Sequence, residues 1–148
     1  MNTATDHQEK TLSAKRLYKT AWLSIPLVTI CIGLPAWSQT SAGSQLADLE
    51  KATQVKADAP KGRIFFSSTH ANEWSCATCH GMPPTKDGEH ASTGKRIAPL
   101  APAFNPDAFT DQRRSDKWFK RNCKDVLERP CTDEEKADVL AYLLSLKP

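Results

Sequence analysis

Methionine is scarce in this chain of 148 residues, which contains only Met1 and Met82. The sequence also shows no internal repeat, no low-complexity tract and no run that alternates as a half-buried β-strand does. These absences argue against repeat proteins, disordered tracts and β-rich folds, and they favour a small helical domain. The C-terminal part of the chain, beyond Met82, is left without a thioether sulfur.

Residues 39–148 also lack a large net charge of either sign. Residues 39–148 contain 16 Lys and Arg (20 in the chain less four before residue 39) and 15 Asp and Glu (17 less two), so their formal net charge is +1. This small excess argues against nucleic acid or an anionic membrane surface as a partner. These 110 residues are enough for one small domain with a thin core.

The first 38 residues have the pattern of a secretory signal peptide. A positively charged segment precedes an uncharged, mostly apolar stretch over residues 21–37, and Ala36-Trp37-Ser38 offers small residues at the two positions that specify cleavage. We predict cleavage after Ser38 and export to the periplasm, which leaves residues 39–148 as the mature domain. An uncleaved anchor is the alternative, although a stretch this short that contains Pro26 would barely cross a bilayer.

The most informative segment is Cys76-Ala77-Thr78-Cys79-His80. Cys-x-x-Cys-His is the attachment signature of a c-type haem, in which both thiols add to the vinyl groups and the histidine binds the iron. One helical turn brings the two sulfurs to the same edge of the macrocycle. A zinc site normally needs a second ligand pair at regular spacing, and a thioredoxin-like pair needs a βαβ pattern, and we find neither. We therefore predict one covalent haem c bound by Cys76, Cys79 and, as proximal ligand, His80.

The number of cysteines agrees with this interpretation. Cys31 lies within the predicted signal peptide, so four cysteines are left in the mature chain. The haem motif uses two of them. The other two, Cys123 and Cys131, can form a disulfide in an oxidising compartment.

Helical periodicity and capping residues predict most of the remaining structure. Gly62 and Phe66 share one helix face, so Gly62 could admit another helix at close range. The predicted fold is all-α, a small and loop-rich cytochrome c-like domain wrapped around one haem. The expected helices run from Gln45 to about Val55 after a Ser44 cap, from Pro60 through Phe66, from Asp111 to about Asn122 after a Thr110 cap, and from the Thr132–Glu135 capping box onwards.

Residues 81–106 are expected to form a loop, because they contain five prolines and the turn Asp87-Gly88. The apolar run over residues 97–102 is expected to form a wall at the edge of the haem. A carbonyl of Pro99 or Pro102 is expected to accept a hydrogen bond from the His80 ring, which would set the tautomer of that ring.

The second axial ligand cannot be the usual methionine. Met82 lies only two residues after His80, on the wrong side of the ring, whereas a distant methionine supports the high potential of many electron-carrying cytochromes c. His70 and His90 are candidates for a second imidazole, and the ordinary interpretation of each is a solvated loop histidine. Asn122 is a third candidate, although an asparagine at a helix end is usually a cap or turn residue.

Several further segments are informative as a set. They are Thr93-Gly94-Lys95, Ile97-Ala98-Pro99-Leu100-Ala101-Pro102, Pro106 with Phe109-Thr110-Asp111, Lys117-Trp118, Arg121-Asn122-Cys123 and Cys131-Thr132 with Glu135-Lys136-Ala137-Asp138. Together with the haem motif they resemble the sphaeroides haem protein family, which comprises high-spin-type monohaem c cytochromes. The resemblance extends from about Ser44 to the C-terminus.

The resemblance implies a disulfide between Cys123 and Cys131. It also implies that Asn122 is the distal iron ligand in the oxidised state and leaves on reduction, so that O2, NO or CO can bind. The expected function is a periplasmic cytochrome that exchanges electrons with other cytochromes, such as a dihaem cytochrome c and a membrane b-type cytochrome. A plain bis-His electron carrier and a peroxide- or NO-converting haem enzyme are the alternatives, so an enzymatic role is left open.

Overall fold

The computed structural model describes residues 39–148, and the predicted signal peptide lies outside the described residues. This part of the chain forms five α-helices and one two-stranded hairpin, and the predicted all-α class is confirmed. The elements are α1 (Ala42–Thr53), α2 (Ala59–Ser67), α3 (Cys76–His80), β1 (Gly88–Glu89), β2 (Arg96–Ile97), α4 (Gln112–Leu127) and α5 (Asp133–Ser145). Across these described residues, we find no helix whose length and apolar character would let it cross a bilayer.

The contact between α2 and α5 is the most extensive in the fold. Asp58 caps α2 by accepting a backbone N–H at 2.9 Å, and Pro60 lies in the first turn, as predicted. Gly62 faces α5 so closely that a Cβ atom there would lie 1.8 Å from the carbonyl oxygen of Asp138. The close approach predicted for Gly62 is confirmed, and it buries Phe66 one turn later.

The apolar core lies between these two helices. Phe66 packs with three α5 residues, Val139, Tyr142 and Leu143, and we call these four buried residues the core cluster. The ring centroids of Phe66 and Tyr142 are 5.6 Å apart. Half-buried apolar side chains from the rest of the domain pack against the core cluster, namely Phe65, Cys76, Ala77, Leu100, Phe109, Phe119 and Leu146.

Helix α1 begins three residues earlier than the sequence predicts. Ser41 is the N-cap, and it forms a capping box with Ser44 in which each side chain accepts the backbone N–H of the other. The prediction that Ser44 is the cap was wrong because Ser44 occupies the third helical position of this box. The buried Gln45 side chain donates from Nε2 to the Phe109 carbonyl at 2.8 Å, which ties α1 to the loop before α4.

Helix α4 is longer than predicted at its C-terminal end. Its N-cap is Asp111 rather than Thr110, and the helix continues past Asn122 to Leu127. The prediction that Asn122 ends the helix is therefore wrong. Residues 112–127 contain no proline or glycine, and the helix ends where Glu128 adopts a left-handed conformation with φ of 60°.

A disulfide and an ion pair hold the corner between α4 and α5. Cys123 is bonded to Cys131, with the two Cα atoms 5.5 Å apart, so the pairing implied by the resemblance is present. Thr132 and Glu135 form the predicted capping box. The Arg129 guanidinium lies 2.6 Å from the Glu135 carboxylate and lowers the pKa of that carboxyl. Helix α4 is thus tied to α5, although it packs only sparsely against the other helices.

The long loop contains a short hairpin that was not predicted. Strands β1 and β2 are antiparallel, with Gly88 opposite Ile97. Asp87 and Arg96 form an ion pair beside the strands. Two residues per strand are too few to produce an alternating pattern in the sequence, which explains why periodicity did not reveal them.

The first prediction concerns Gly62. We expect Gly62→Ala to lower the free energy of unfolding by roughly 2–3 kcal/mol, because the added methyl group must push α2 away from the α5 backbone. Gly43→Ala is the matched control, since its new Cβ would meet nothing nearer than Ser41 Oγ at 3.8 Å. That control should be neutral or stabilising by up to about 1 kcal/mol. Denaturant unfolding of both variants measures the difference, and equal stabilities would contradict the proposed packing.

The second prediction concerns the bridge. The double variant Cys123→Ala/Cys131→Ala should unfold with a free energy lower by roughly 2–3 kcal/mol, because the bond closes a short ring across a separation of 8 residues. Ser115→Ala, a change at another buried position of α4, should cost less than about 1.5 kcal/mol. Limited proteolysis with a glutamate-specific protease should cut first at Glu128 in the double variant. Unchanged stability and unchanged cleavage would show that the bridge does not hold this corner.

Candidate haem site

The haem motif is itself a single helical turn. Ser75 caps α3 and forms a capping box with Thr78, so the backbone of the motif is ordered by its own side chains. Cys76 and Cys79 are three residues apart and therefore lie on the same side of this turn. Both are free cysteines, and His80 is the last helical residue. Gly81 then adopts φ of 74°, which turns the chain sharply away.

The hairpin supports the second cysteine of the motif. A Cβ atom at Gly88 would lie 2.1 Å from the Cys79 carbonyl oxygen, so only glycine fits at this position. The backbone N–H of Ala91 lies 3.4 Å from Cys79 Sγ and donates to it. Sequence reasoning noted Gly88 only as part of a turn and missed this supporting role, for which the dipeptide Asp87-Gly88 was the available signal.

Burial keeps the two chemically important side chains of the motif neutral. It raises the pKa of the Cys76 thiol to about 11, so this sulfur is not a thiolate at neutral pH. It lowers the pKa of His80, so the imidazole is uncharged and one ring nitrogen has a free lone pair. A neutral imidazole is the form that binds a metal.

The expected hydrogen bond between the His80 ring and a proline carbonyl is absent. His80 Nδ1 is buried and has no hydrogen-bond partner among the described residues. The Pro99 carbonyl instead accepts from the Asn105 side chain at 2.8 Å. The prediction that the carbonyl of Pro99 or Pro102 accepts a hydrogen bond from the His80 ring is therefore wrong for this structure.

The surroundings of the motif fit a flat, apolar group held by covalent bonds. The centroid of the His80 ring lies 6.2 Å from that of Phe66, so the histidine rests on the core cluster. Half-buried apolar side chains of the long loop and of α4, including Leu100 and Phe119, face the same cluster. Because α4 packs sparsely on the other helices, it is free to form the opposite wall of a haem site.

Asn122 lies on the inward side of α4. Ser115, Phe119, Asn122 and Val126 recur at intervals of three and four residues, and all four are buried or half-buried. The disulfide begins at the next residue, Cys123. Asn122 therefore lies on the same helix face as Phe119. Phe119 packs against the core cluster, and so does Cys76 of the motif.

The two candidate histidines lie in different surroundings. His70 Nε2 lies 2.9 Å from the Phe65 carbonyl, and its ring contacts the Phe65 ring in a tilted arrangement with the centroids 4.9 Å apart, so His70 is held by the end of α2. His90 lines an open cleft of about 530 Å³ together with Trp74 and Arg121. Since Ala91 bonds to Cys79, this cleft lies beside the second cysteine of the motif.

Comparison with known proteins gives one family match and two characterised relatives. Residues 52–143 match the family described as "Domain of unknown function (DUF1924)". The chain is 45% identical over 121 residues to cytochrome c-type protein SHP of Cereibacter sphaeroides, which covers 79% of this chain and 93% of that protein. It is 40% identical over 88 residues to cytochrome c'' of Methylophilus methylotrophus, which covers 57% of this chain and 61% of that protein.

Solved structures show the same relationships. Oxidised SHP, described as an oxygen-binding cytochrome c, aligns with a TM-score of 0.68 and 46% identity over 73% of this chain and 99% of its own. Oxidised cytochrome c'' of Methylophilus methylotrophus aligns with a TM-score of 0.64 and 32% identity over 72% of this chain and 95% of its own. A solution structure of the latter protein is described as giving insight into haem-ligand detachment.

These matches extend over most of the described residues and agree with the helical fold and the buried motif. The predicted resemblance is confirmed, as is the predicted cofactor. The chain, whose residues 52–143 match DUF1924, belongs to the sphaeroides haem protein family, and it is a c-type cytochrome that carries one covalently bound haem c.

Proposed function

We propose that this protein is a periplasmic cytochrome that exchanges electrons with other cytochromes and reversibly binds O2, NO or CO when reduced. The observation that carries the proposal is the half-buried Asn122 on the inward side of α4, held next to a disulfide. The SHP relative, described as an oxygen-binding cytochrome c, supports the gas-binding part. The similarity to SHP and to cytochrome c'' supports the electron-transfer part.

The haem is assigned to the motif. Cys76 and Cys79 form the thioether bonds, and His80 is the proximal ligand. The neutral state of the His80 imidazole and its position against Phe66 support this assignment. When bound to these residues, haem c would supply an iron that changes between the ferric and ferrous states.

Asn122 is assigned as the displaceable distal ligand. An amide is a weaker ligand for iron than imidazole or thioether, so a gas molecule can take its place. Met82 does not compete for this role, because it lies two residues after His80 and its sulfur accepts a hydrogen bond from Tyr142 at 3.4 Å. The detachment of a haem ligand described for cytochrome c'' supports a distal ligand that leaves.

Location and partners follow from the same proposal. The signal peptide over residues 1–38 is expected to direct export, which leaves residues 39–148 as the monohaem domain in the periplasm. A dihaem cytochrome c and a membrane b-type cytochrome are the expected redox partners. His90 supports one alternative, a bis-His electron carrier, because it lines the cleft beside Cys79 together with Arg121 of α4.

The third prediction tests the distal ligand. Asn122→Ala should change the ferric absorption spectrum without changing haem content, because it removes a ligand but no attachment point. Asn122→His should slow CO binding to the reduced protein at least about tenfold, because an imidazole binds iron more strongly than an amide. Lys120→Ala, an exposed change on the same helix, is the control and should leave both measurements unchanged.

Absorption spectra of the oxidised and reduced proteins, with and without CO, measure these effects. An unchanged ferric spectrum in Asn122→Ala would refute the role of Asn122. If His90→Ala changes the ferric spectrum instead, and the reduced wild-type protein ignores CO, the bis-His alternative is correct.

The fourth prediction tests the attachment. In Cys76→Ser/Cys79→Ser, haem should be extracted by acidified organic solvent, because no thioether bond is left to retain it. The wild-type protein and the Cys123→Ala/Cys131→Ala variant should both retain haem through the same extraction. Retention of haem by the Cys76→Ser/Cys79→Ser variant would show that the motif is not the attachment point.

A further inference from the structure

Helix α4 has an excess of positive charge that the rest of the described chain does not share. It contains six Lys and Arg and two Asp, a net charge of +4, whereas the other residues of 39–148 contain ten Lys and Arg and thirteen Asp and Glu, a net charge of −3. The small net charge of the domain is therefore the sum of a positive α4 and a negative remainder. A positive region of this kind attracts negative surfaces, whatever the total charge of the molecule.

Four of these basic residues form a stripe along one side of α4. Arg113, Lys117, Lys120 and Lys124 follow one another at intervals of four, three and four residues, so they share one helix face. All four are exposed, and we call them the α4 basic stripe. At 100° per residue, Asn122 lies on the opposite side of the helix.

The three lysines of the stripe are not paired with the acidic residues of α4. Asp116 accepts a hydrogen bond from a glutamine of the preceding turn at 2.9 Å, and Asp125 pairs with an arginine of the same helix at 3.8 Å. Among residues 39–148, Lys117, Lys120 and Lys124 form no salt bridge to a carboxylate. Like charges at these spacings repel each other and weaken a helix, so the stripe is unfavourable for the isolated domain.

Arg121 lies next to the stripe on α4, and an exposed aromatic side chain lies beyond it, about 130° around the helix from the centre of the stripe. Trp118 is 45% exposed, and the guanidinium carbon of Arg121 lies 5.6 Å from the centroid of its ring. Tryptophan and arginine are among the residue types most enriched in side chains that dominate protein–protein binding. The exposed part of α4 therefore contains two residue types that are typical of protein interfaces.

We propose that the α4 basic stripe is the docking surface for an acidic electron-transfer protein, an inference that rests on the proposed function. In each encounter one electron passes, so that the partner is oxidised by one electron and this cytochrome changes from ferric to ferrous. No covalent bond forms or breaks. An anionic membrane has the same sign of charge as an acidic protein, and the vesicle measurement below distinguishes it from a protein partner.

The position of the stripe suits this role. A helix with its side chains is about 10–12 Å across, so a partner on the stripe lies about one helix width from the side of α4 that carries Asn122. The helix then separates the partner from the inward side of α4, where Asn122 lies. Electron entry and gas binding would thus take place on opposite sides of one element.

The test uses the full haem-containing protein and reduced plant-type ferredoxin, a small acidic iron–sulfur protein of low potential, as the probe. The stripe variant is Lys117→Glu/Lys120→Glu/Lys124→Glu. The control, Lys51→Glu/Lys61→Glu/Lys147→Glu, makes the same change of net charge at exposed lysines outside α4. A third variant with glutamine at positions 117, 120 and 124 separates loss of charge from reversal of charge.

Anaerobic stopped-flow absorption measures the second-order rate constant of reduction. At low ionic strength the stripe variant should react at least about tenfold more slowly than the wild-type protein, the glutamine variant should be intermediate, and the control should change far less. The differences should shrink at high salt, because exposed charges are screened there. Equal slowing of the stripe variant and the control would overturn the proposal, since only total charge would then matter.

Two further measurements distinguish the remaining outcomes. If the wild-type protein sediments with phosphatidylglycerol vesicles, the stripe variant does not, and ferredoxin reduces both at the same rate, the stripe faces a membrane and the proposal is wrong. CO binding to the reduced proteins tests the proposed function separately. If CO does not bind but the loss of rate is specific to the stripe, gas binding fails while the docking surface is supported.

Discussion

The backbone contact between α2 and α5 determines the position of the haem site. Gly62 allows this contact, because any side chain there would overlap the Asp138 carbonyl. The Asp138 carboxylate adds a second link by accepting the Asp58 backbone N–H at 2.7 Å. With the two helices this close, Phe66 is buried against α5 and supports the His80 ring from below. The proximal side of the site is therefore built on the most tightly packed part of the domain.

The other side of the site is held differently. Helix α4 packs sparsely on its neighbours and is held mainly by individual bonds. The disulfide anchors it near its C-terminal end, the Asn72 side chain donates to the Asp125 carbonyl at 2.7 Å, and Gln45 holds the preceding loop at Phe109. Segments with few buried apolar contacts open at lower cost than a packed core. If Asn122 is the displaceable ligand, as proposed, a tightly packed His80 side and a tethered α4 suit a cytochrome in which only that ligand has to move.

How much the sequence predicted depends on the range of the interactions involved. The haem motif, the Asp58 cap, the Thr132–Glu135 capping box and the glycine at the helix crossing are local patterns, and the structure contains each of them. The start of α1 was misplaced because Ser41 and Ser44 are both good caps, and sequence alone did not show that they act as a pair. The end of α4 was predicted too early because the sequence after Asn122 contains no helix-breaking glycine or proline before Pro130, and the left-handed Glu128 that ends the helix has no sequence signature.

Features that depend on distant parts of the chain were not predicted from local patterns. The support of Cys79 by Gly88 and Ala91 requires the hairpin to fold back on the motif. The absence of a proline partner for His80 depends on where Asn105 places its amide. The cysteine count made a disulfide between Cys123 and Cys131 possible and Asn122 was one of three candidate ligands, but only the family resemblance favoured each of them. The structure contains the disulfide, and the ligand role is a proposal.

The order of the elements along the chain has a consequence for how the holoprotein matures. The motif precedes α5 by more than one third of the described chain, yet Phe66, which lies against the His80 ring, packs on three residues of α5. When the chain is exported from its N-terminus, as proposed, both thiols reach the periplasm before the helix that packs on Cys76. Both sulfurs are then accessible for haem attachment before α5 covers this part of the motif.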